Sequence, residues 1–362
     1  MERLLYHVYQ ELLHEFEVFL VGPSGAQDYL DQGTGYSGIF PVPIWRFLAG
    51  CQWHTYQAAK RIRPDLILSG SGVTVPAAIM AGKYFDAPVV TFLHGLDLVA
   101  DHLLYKTLFL ASIRTCNRVI CNSNNTARLA VEAGLRDSLI HILNPGVALP
   151  TCPLSIPSGE FRNTAGIGMR PTLLSIGRLT KRKGLVEFIE RCMPSIAKAL
   201  PEIVLVIIGD EAKDAVGGAY GVKQNLVKAI ESHNLAKNVI LLGAVDDETL
   251  AQAYAASQLL VFPVIEQPHD IEGFGMVAVE AAAHGLPTVA FRVGGVPDAV
   301  ADGVSGYLVN AGDYVKFTAT IVAHLQQAHV PIVPESCRQF AEDFAWEKFG
   351  ARLRKICRES II

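Results

Sequence analysis

The stretch Glu272-Gly273-Phe274-Gly275-Met276-Val277-Ala278-Val279-Glu280 places two carboxylates eight residues apart, with two glycines opening what reads as a buried helix over 276–284. Were the whole span helical, a rise of about 1.5 Å per residue would separate the two Glu positions by about 12 Å. Acid pairs that work on one glycosidic bond sit roughly 5 to 9.5 Å apart, so these two are not such a pair. Their spacing suits the two ends of one elongated ligand. Between them, the first amides of the helix have no intrahelical partner and attract an anion. Carboxylate, free amides, carboxylate fits a sugar, a diphosphate and a ribose in line. A glycine-entered core helix with one capping and one buried Glu fits the same letters, and this stretch alone does not choose between the two.

Other stretches offer matching chemistry. Ser175 to Gly184 leaves an apolar run, makes a cationic turn and enters a helix. Arg178 offers a planar fork of donors and Lys183 a compact charge, both suited to a diphosphate; a solvated basic turn is the competing reading. Thr91-Phe92-Leu93-His94-Gly95-Leu96-Asp97 ends an apolar run with an imidazole, a glycine and a carboxylate, where His94 can hydrogen-bond or polarise a reacting group. Ser123 in Asn122-Ser123-Asn124-Asn125 reads equally as a helix cap or a ligand contact. Gly273 to Ala278 formally fits the dinucleotide pattern G-x-G-x-x-A, but it lies mid-domain and about ten residues past its strand, so redox use of NAD is not expected. The histidines are scattered without a His-x-x-x-His, and no Asp-x-Asp follows a strand, so no metal site is expected.

These residues need elements to position them. Apolar residues at helical spacing open the chain, and 16–21 reads as a buried strand. Short apolar runs at 65–69, 88–94, 118–123 and 139–144 alternate with helical patterns at 45–62, 74–85, 101–115 and 124–133. A Pro- and Gly-rich stretch, 144–171, reads as a connection. Further strands are expected at 172–177, 203–209, 239–243, 259–263, 287–291 and 307–309, with a closing helix pair at 335–343 and 347–358. Alternating strand and helix predicts parallel, doubly wound sheets with ligands at the carboxyl ends of the strands. The expected domains are 1–150, a linker at 151–170, a second domain at 171–345, and a helix at 346–362 packing back toward the first domain. Two such domains would enclose a cleft.

At 362 residues, two cores are expected. Half the residues are hydrophobic and 18% charged, which excludes disorder as the main state, and a net charge of −4 argues against nucleic acid. Seven cysteines without a Cys-x-x-Cys, mostly in apolar runs, suggest reduced, cytoplasmic usage. No apolar run reaches about 18 residues, so no spanning helix is expected. The stretch with Trp45, Phe47, Leu48 and Trp53 and the cations Arg46, Lys60, Arg61 and Arg63 is read first as a core-facing helix with a solvated basic end. Lying on the inner face of an anionic membrane is the second reading.

The chain resembles the family 4 retaining glycosyltransferases of the GT-B fold. The resemblance rests on Gly177-Arg178-Leu179 with Lys183-Gly184, on Glu272 to Glu280 as the family's Glu-x7-Glu motif, on Gly285-Leu286-Pro287, on Gly294-Gly295-Val296-Pro297 and on Asp302 to Val309. The first domain matches more loosely through His94-Gly95, Asn122-Ser123 and Asn144-Pro145-Gly146-Val147. The resemblance implies Arg178 and Lys183 as diphosphate ligands, Glu272 on the donor sugar hydroxyls, and Glu280 on the ribose. The backbone of Gly273, Phe274, Gly275, Met276 and Val277 would meet the sugar and phosphate, and Gly209 and Val245 would line the base pocket. His94 would stand near the anomeric carbon, with Asp97 and Ser123 on the acceptor side. It further implies hexose transfer with retention, from a GDP- or UDP-linked donor to a lipid-linked or saccharide acceptor, with no metal or other cofactor. The insertion Ile265 to Ile271 is similar to the phosphatidylinositol mannosyltransferase branch and favours GDP-mannose over UDP-glucose.

One departure is notable. Family members begin with a strand and a glycine-rich loop before the helix that here starts at Glu2-Arg3, so the first domain is expected to lack its first, central strand and the native product is expected to start upstream of Met1. Two alternatives follow. One is an epimerase or phosphorylase on the same fold; a phosphorylase would need a pyridoxal lysine in a much longer chain. The other is an inactive sugar-nucleotide-binding protein.

Overall fold

The computed structural model describes residues 2–99, 105–150, 159–211, 221–328 and 332–361. The chain forms two compact units, Met1–Gly146 together with Trp346–Ile362, and Val147–Ala345.

With strands numbered in chain order and the first six lying in the first unit, the second unit is built on six parallel strands: β7 (Thr172–Ile176), β8 (Val204–Ile208), β9 (Val239–Gly243), β10 (Leu259–Phe262), β11 (Thr288–Phe291) and β12 (Gly306–Val309). Their order across the sheet is β12-β11-β10-β7-β8-β9. The chain enters at β7, winds outward through β8 and β9, then returns to the other side of β7 and winds outward through β10, β11 and β12. This is the doubly wound order whose switch point, between β7 and β10, opens a crevice at the carboxyl ends of the strands. The strands are near-continuous apolar runs, as strands covered on both faces must be. Every residue of Val-Leu-Val-Ile-Ile in β8 is buried. Caps fix helix starts, with Asp246 accepting from Thr249 N at 2.7 Å and Asp313 from Lys316 N at 2.9 Å. The stretch read as a connection adds a short helix, Gly159–Thr164, and sinks Phe161 and Ile167 into this unit's core. Residues 151–158 of the expected linker lie outside the described residues.

The first unit carries its strands in two pieces. β3 (Ile67–Ser69), β4 (Val89–Leu93), β5 (Arg118–Cys121) and β6 (Ile140–Ile142) form one parallel sheet in sequence order, while β1 (Phe19–Pro23) and β2 (Gly35–Ile39) pair in parallel by themselves. Among the described residues β1 and β3 share no pairing. β1 begins three residues later than the sequence suggests, and β2 was not anticipated, because Gly-Tyr-Ser-Gly-Ile carries little strand signal. The expected helix at 101–115 falls partly outside the described residues; what is described is Leu96–Val99, a π-helical turn Tyr105–Leu110 and Ala111–Ile113.

The last helix, Trp346–Ile361, packs against the first, Glu2–Leu13. Arg354 holds the Glu11 carboxylate at 2.7 Å and the Glu11 carbonyl at 2.8 Å, and Trp346 stacks on His7 with 3.8 Å between centroids. Two sequence-distant segments therefore fold as one layer of the first unit.

Candidate functional site

The loops leaving β7 and β10 converge at the switch point of the second unit. After β7 the chain makes a 3-10 turn, Lys181–Lys183, whose three consecutive cations point three ways: Lys181 is exposed, Arg182 buried and Lys183 half-buried. Ile265 N donates to Arg182 O at 2.9 Å, stitching this turn to the loop after β10. Gly184 lets them approach: its φ is +65° and a Cβ there would stand 2.0 Å from Pro263 O. The β10 loop is supported from behind by the loop after β11. Gly295 N donates to Glu272 O at 2.8 Å, and a Cβ on Gly295 would stand 2.1 Å from Gly273 O. The Gly-Gly pair read in the sequence as a signature is thus the floor on which the Glu272 loop rests.

At this junction Lys183 Nζ donates to Glu272 Oε2 at 2.8 Å, and Arg182 Nη1 donates to the same oxygen. Arg182 Nε also reaches Asp270 Oδ1 at 2.9 Å. Lys183 Nζ further lies 4.7 Å from the centroid of Phe262, the last residue of β10. The side chains of Arg182, Lys183 and Glu272 are only 11%, 13% and 12% exposed. Burial alone would push the Glu272 carboxyl up, but Lys183, Arg182 and the more distant Arg178 outweigh it and hold the carboxyl below its usual range. Burial pulls the Lys183 ammonium below its usual value, Arg182 and Arg178 pull the same way, and Glu272 opposes them. Arg182 and Lys183 thus hold the two carboxylates between them, and the charge of Arg178, which neither carboxylate pairs, adds a positive surplus that makes the junction receptive to an anion. Arg178 is exposed and makes no hydrogen bond or ion pair among the described residues.

Beyond Glu272 the span is not wholly helical. Gly275, at φ +105°, is the N-cap of a helix running Met276–Ala283, with His284 as its C-cap. No side chain caps its start, so its first amides keep their donors available. Phe274 anchors the loop in the core, 3% exposed and against Phe344. Ala278, Val279 and Ala281 to Ala283 are buried, whereas Met276, Val277 and Glu280 are half-buried. Glu280 accepts from Tyr254 Oη at 3.1 Å, and Tyr254 stacks on His284 with 4.7 Å between centroids. A ring, its stacking partner and a hydrogen bond therefore fix this carboxylate. Gly209 ends β8 against β7: a Cβ there would stand 2.0 Å from Gly177 O. Val245, after β9, borders a recess of about 380 Å³ with Phe161, Leu242 and Gln252. Among the described residues no group of three or more His, Cys, Asp or Glu is placed to hold a metal ion.

The first unit carries His94, Asp97 and Ser123. His94 follows β4, and its Nε2 lies 2.9 Å from Gly70 O at the end of β3. Asp97 is buried and spends both oxygens on backbone, accepting from His94 N at 2.9 Å and from Gly72 N at 3.0 Å. It clamps the two strand ends and sets the position of His94. Ser123 is fully buried and accepts from Thr126 N at 3.1 Å, the geometry of a helix cap. Sequence reasoning missed Arg182 and Asp270, since a run of three cations does not say which one turns inward.

Comparisons with known proteins agree with this architecture. The family described as glycosyl transferases group 1 matches residues 158–343, and glycosyltransferase family 4 matches residues 1–149. The GDP-mannose-dependent alpha-(1-6)-phosphatidylinositol monomannoside mannosyltransferase of Mycolicibacterium smegmatis is 27% identical over 95% of this chain and 90% of its own length. A D-inositol 3-phosphate glycosyltransferase of Mycobacterium marinum is 28% identical over 68% of this chain and 50% of its own length. Among solved structures, Anabaena HepE in complex with UDP and glucose superposes with a TM-score of 0.77 at 20% identity, covering 99% of this chain and 95% of that one. A glycosyltransferase from Rickettsia africae reaches 0.81 at 16% identity, covering 99% and 94%.

Proposed function

Because the chain belongs to the group 1 glycosyl transferases and has the family 4 GT-B fold, we propose that it transfers a hexose, with retention, from a nucleotide diphosphate sugar to a lipid-linked or saccharide acceptor. One observation carries the reading: Lys183 and Glu272, from the loops after β7 and β10, meet at the switch point of a doubly wound sheet with surplus positive charge. An elongated anionic donor fits along it. Its diphosphate would take Arg178, Lys183 and the first amides of the helix Met276–Ala283; its sugar hydroxyls would meet Glu272, and its ribose would meet Glu280. The relative that acts on phosphatidylinositol monomannoside with GDP-mannose supports GDP-mannose and a lipid-linked acceptor as the first pair to test.

Transfer breaks the bond between the anomeric carbon and the diphosphate oxygen and forms one from that carbon to the acceptor oxygen on the same face. The acceptor proton passes to the departing diphosphate. Negative charge grows on that leaving group, where Lys183 and Arg178 stabilise it without a metal ion. The ion pair to Glu272 keeps Lys183 in place before the donor arrives, so little reorganisation is needed during the reaction. His94, positioned by Asp97, is assigned to the transfer step.

The test is a screen of GDP- and UDP-sugars for thermal stabilisation and slow hydrolysis, repeated with Lys183→Ala and Glu272→Ala. The reading expects one donor to stabilise the chain and be turned over, with both activities lost in the variants. Full activity in both variants overturns it.

A further inference from the structure

Glu280 is the one ionisable side chain of the helix Met276–Ala283, whose other members are Met, Val and Ala. A long carboxylate side chain samples many rotamers, and a ligand that needs it in one place must first order it. Two rings remove that freedom. Tyr254, on the helix Asp247–Ala256, is 3% exposed and donates from Oη to Glu280 Oε2 at 3.1 Å. His284, the C-cap of the Glu280 helix, stacks on the Tyr254 ring with 4.7 Å between centroids and 20° between planes. Its Nδ1 lies 2.9 Å from Glu280 O. A carbonyl oxygen only accepts, so Nδ1 is the protonated nitrogen in this contact. The path runs from the Glu280 carbonyl through two stacked rings and back to the Glu280 carboxylate, closing on the residue where it began.

What the tyrosine hydroxyl adds is direction. Glu280 is half-buried, and a half-buried carboxylate can take its hydrogen bonds from water, so satisfaction alone does not require Tyr254. For filling the core, a phenylalanine ring would serve without a hydroxyl to desolvate. The ring cannot follow a wandering carboxylate, because it is packed against His284 and its helix is held at both ends. Asp246 caps the start, accepting from Thr249 N at 2.7 Å, and Arg162 Nη2 donates to Ala256 O at 2.5 Å at the finish. One oxygen of Glu280 is thereby tied to a rigid point, which fixes the plane of the carboxylate.

We propose that Tyr254 is a positioning residue for the donor: its hydroxyl holds Glu280 in the orientation that accepts from the vicinal hydroxyls of the ribose, and so sets how strongly the site prefers a ribonucleotide to a deoxyribonucleotide. The proposal rests on the reading of Glu280 as the ribose contact and deepens it by naming what aims that contact. A carboxylate aimed at a hydroxyl discriminates by more than the bond itself, because an analogue lacking the hydroxyl leaves a desolvated charge short of a donor. A carboxylate free to turn toward water would lose that penalty, and with it the preference.

The test is calorimetric titration of the full chain with GDP and UDP and with their 2′-deoxy and 3′-deoxy counterparts, in the wild type, Tyr254→Phe, Glu280→Ala and the double variant. The wild type should prefer the ribonucleotide over at least one deoxy form by about 10–100-fold, the worth of one hydrogen bond to a charged group. Tyr254→Phe keeps the ring and its stack on His284, and should shrink that preference at least about fivefold while the Kd of the deoxy form hardly moves. In the Glu280→Ala background, Tyr254→Phe should change nothing further. His284→Leu, which loosens the stack and leaves the hydroxyl in place, should shrink the same ratio part of the way. A purely structural tyrosine would weaken ribonucleotide and deoxyribonucleotide alike, and the ratio measured within one protein is blind to such a loss. A ratio unchanged in both Tyr254→Phe and His284→Leu, equal weakening of both nucleotides, or losses that add in the double variant would each overturn the proposal. If the ratio survives Tyr254→Phe and collapses in Glu280→Ala, this proposal falls while Glu280 keeps the ribose. A wild type that does not distinguish the deoxy forms fails the reading of Glu280 itself and takes the proposal with it.

Discussion

Arg182→Ala removes the one side chain that ties both carboxylates of the donor junction to the β7 loop. Removing one partner of a buried ion pair typically costs about 3–5 kcal/mol. The cost here falls below that range for two reasons visible in the geometry. Glu272 keeps Lys183 at 2.8 Å, and Asp270, whose side chain is 41% exposed, returns to water. A loss of about 2–3 kcal/mol in the second unit is expected, or about 4–12 °C in its unfolding temperature. The functional effect has a defined sign. Arg182 currently depresses the affinity of Lys183 for its proton and helps hold Glu272 ionised. Without it Lys183 is bound more exclusively to Glu272 and is less free to meet a diphosphate. The loss of donor affinity should be about 10–100-fold, the worth of one charge-assisted contact. Arg182→Lys restores the charge but cannot span Asp270 and Glu272 as a fork does, so it should recover only part of the affinity. Differential scanning calorimetry and nucleotide titration read both effects. An Arg182→Ala protein that melts and binds like the wild type would refute the idea that this network presets the site.

Other expectations follow from the same packing. Gly295→Ala should displace the Glu272 loop, since its Cβ would lie 2.1 Å from Gly273 O, and should raise the donor Kd while circular dichroism stays native. Arg354→Ala leaves Glu11 buried without its cation and should cost the first unit about 3–5 kcal/mol in urea unfolding, with Glu11→Ala in the same chain recovering part of the loss. His284 and His324 are held by burial below the usual imidazole range. Their unfolded forms take up a proton near pH 6.5 and their folded forms only at lower pH, so stability should be constant above that value and fall as pH drops through it and through the folded-state values. A melting temperature that rises on acidification between about pH 7 and 5 would contradict this.

Much of the second unit was legible in the sequence, for a physical reason. Parallel strands covered on both faces must be apolar throughout, and runs such as Val204–Ile208 and Leu259–Phe262 announce themselves between helical patterns. Glu272, Lys183 and the glycines around them stood out because side chains of those types cluster where backbone loops approach closely. Orientation was not legible. Lys181, Arg182 and Lys183 are equivalent as letters, and only the 3-10 turn decides that Arg182 faces Asp270 and Glu272. Trp45 and Trp53 suggested a core by composition, but the helix turns Cys51 and Ala58 inward instead. Asp97 looked like a ligand contact because both hydrogen bonds it makes go to backbone amides, which a sequence does not reveal. β2 was missed because Gly35 and Gly38 dilute its pattern.

The most direct measurement is calorimetric titration of GDP and UDP into the full chain with chelator present, alongside Lys183→Ala. The account predicts one nucleotide per chain, bound without a divalent ion and weakened about a hundredfold by the substitution, roughly the 2.7 kcal/mol of one lost buried charge contact. Binding that is indifferent to Lys183, or that appears only when a divalent cation is supplied, would contradict it.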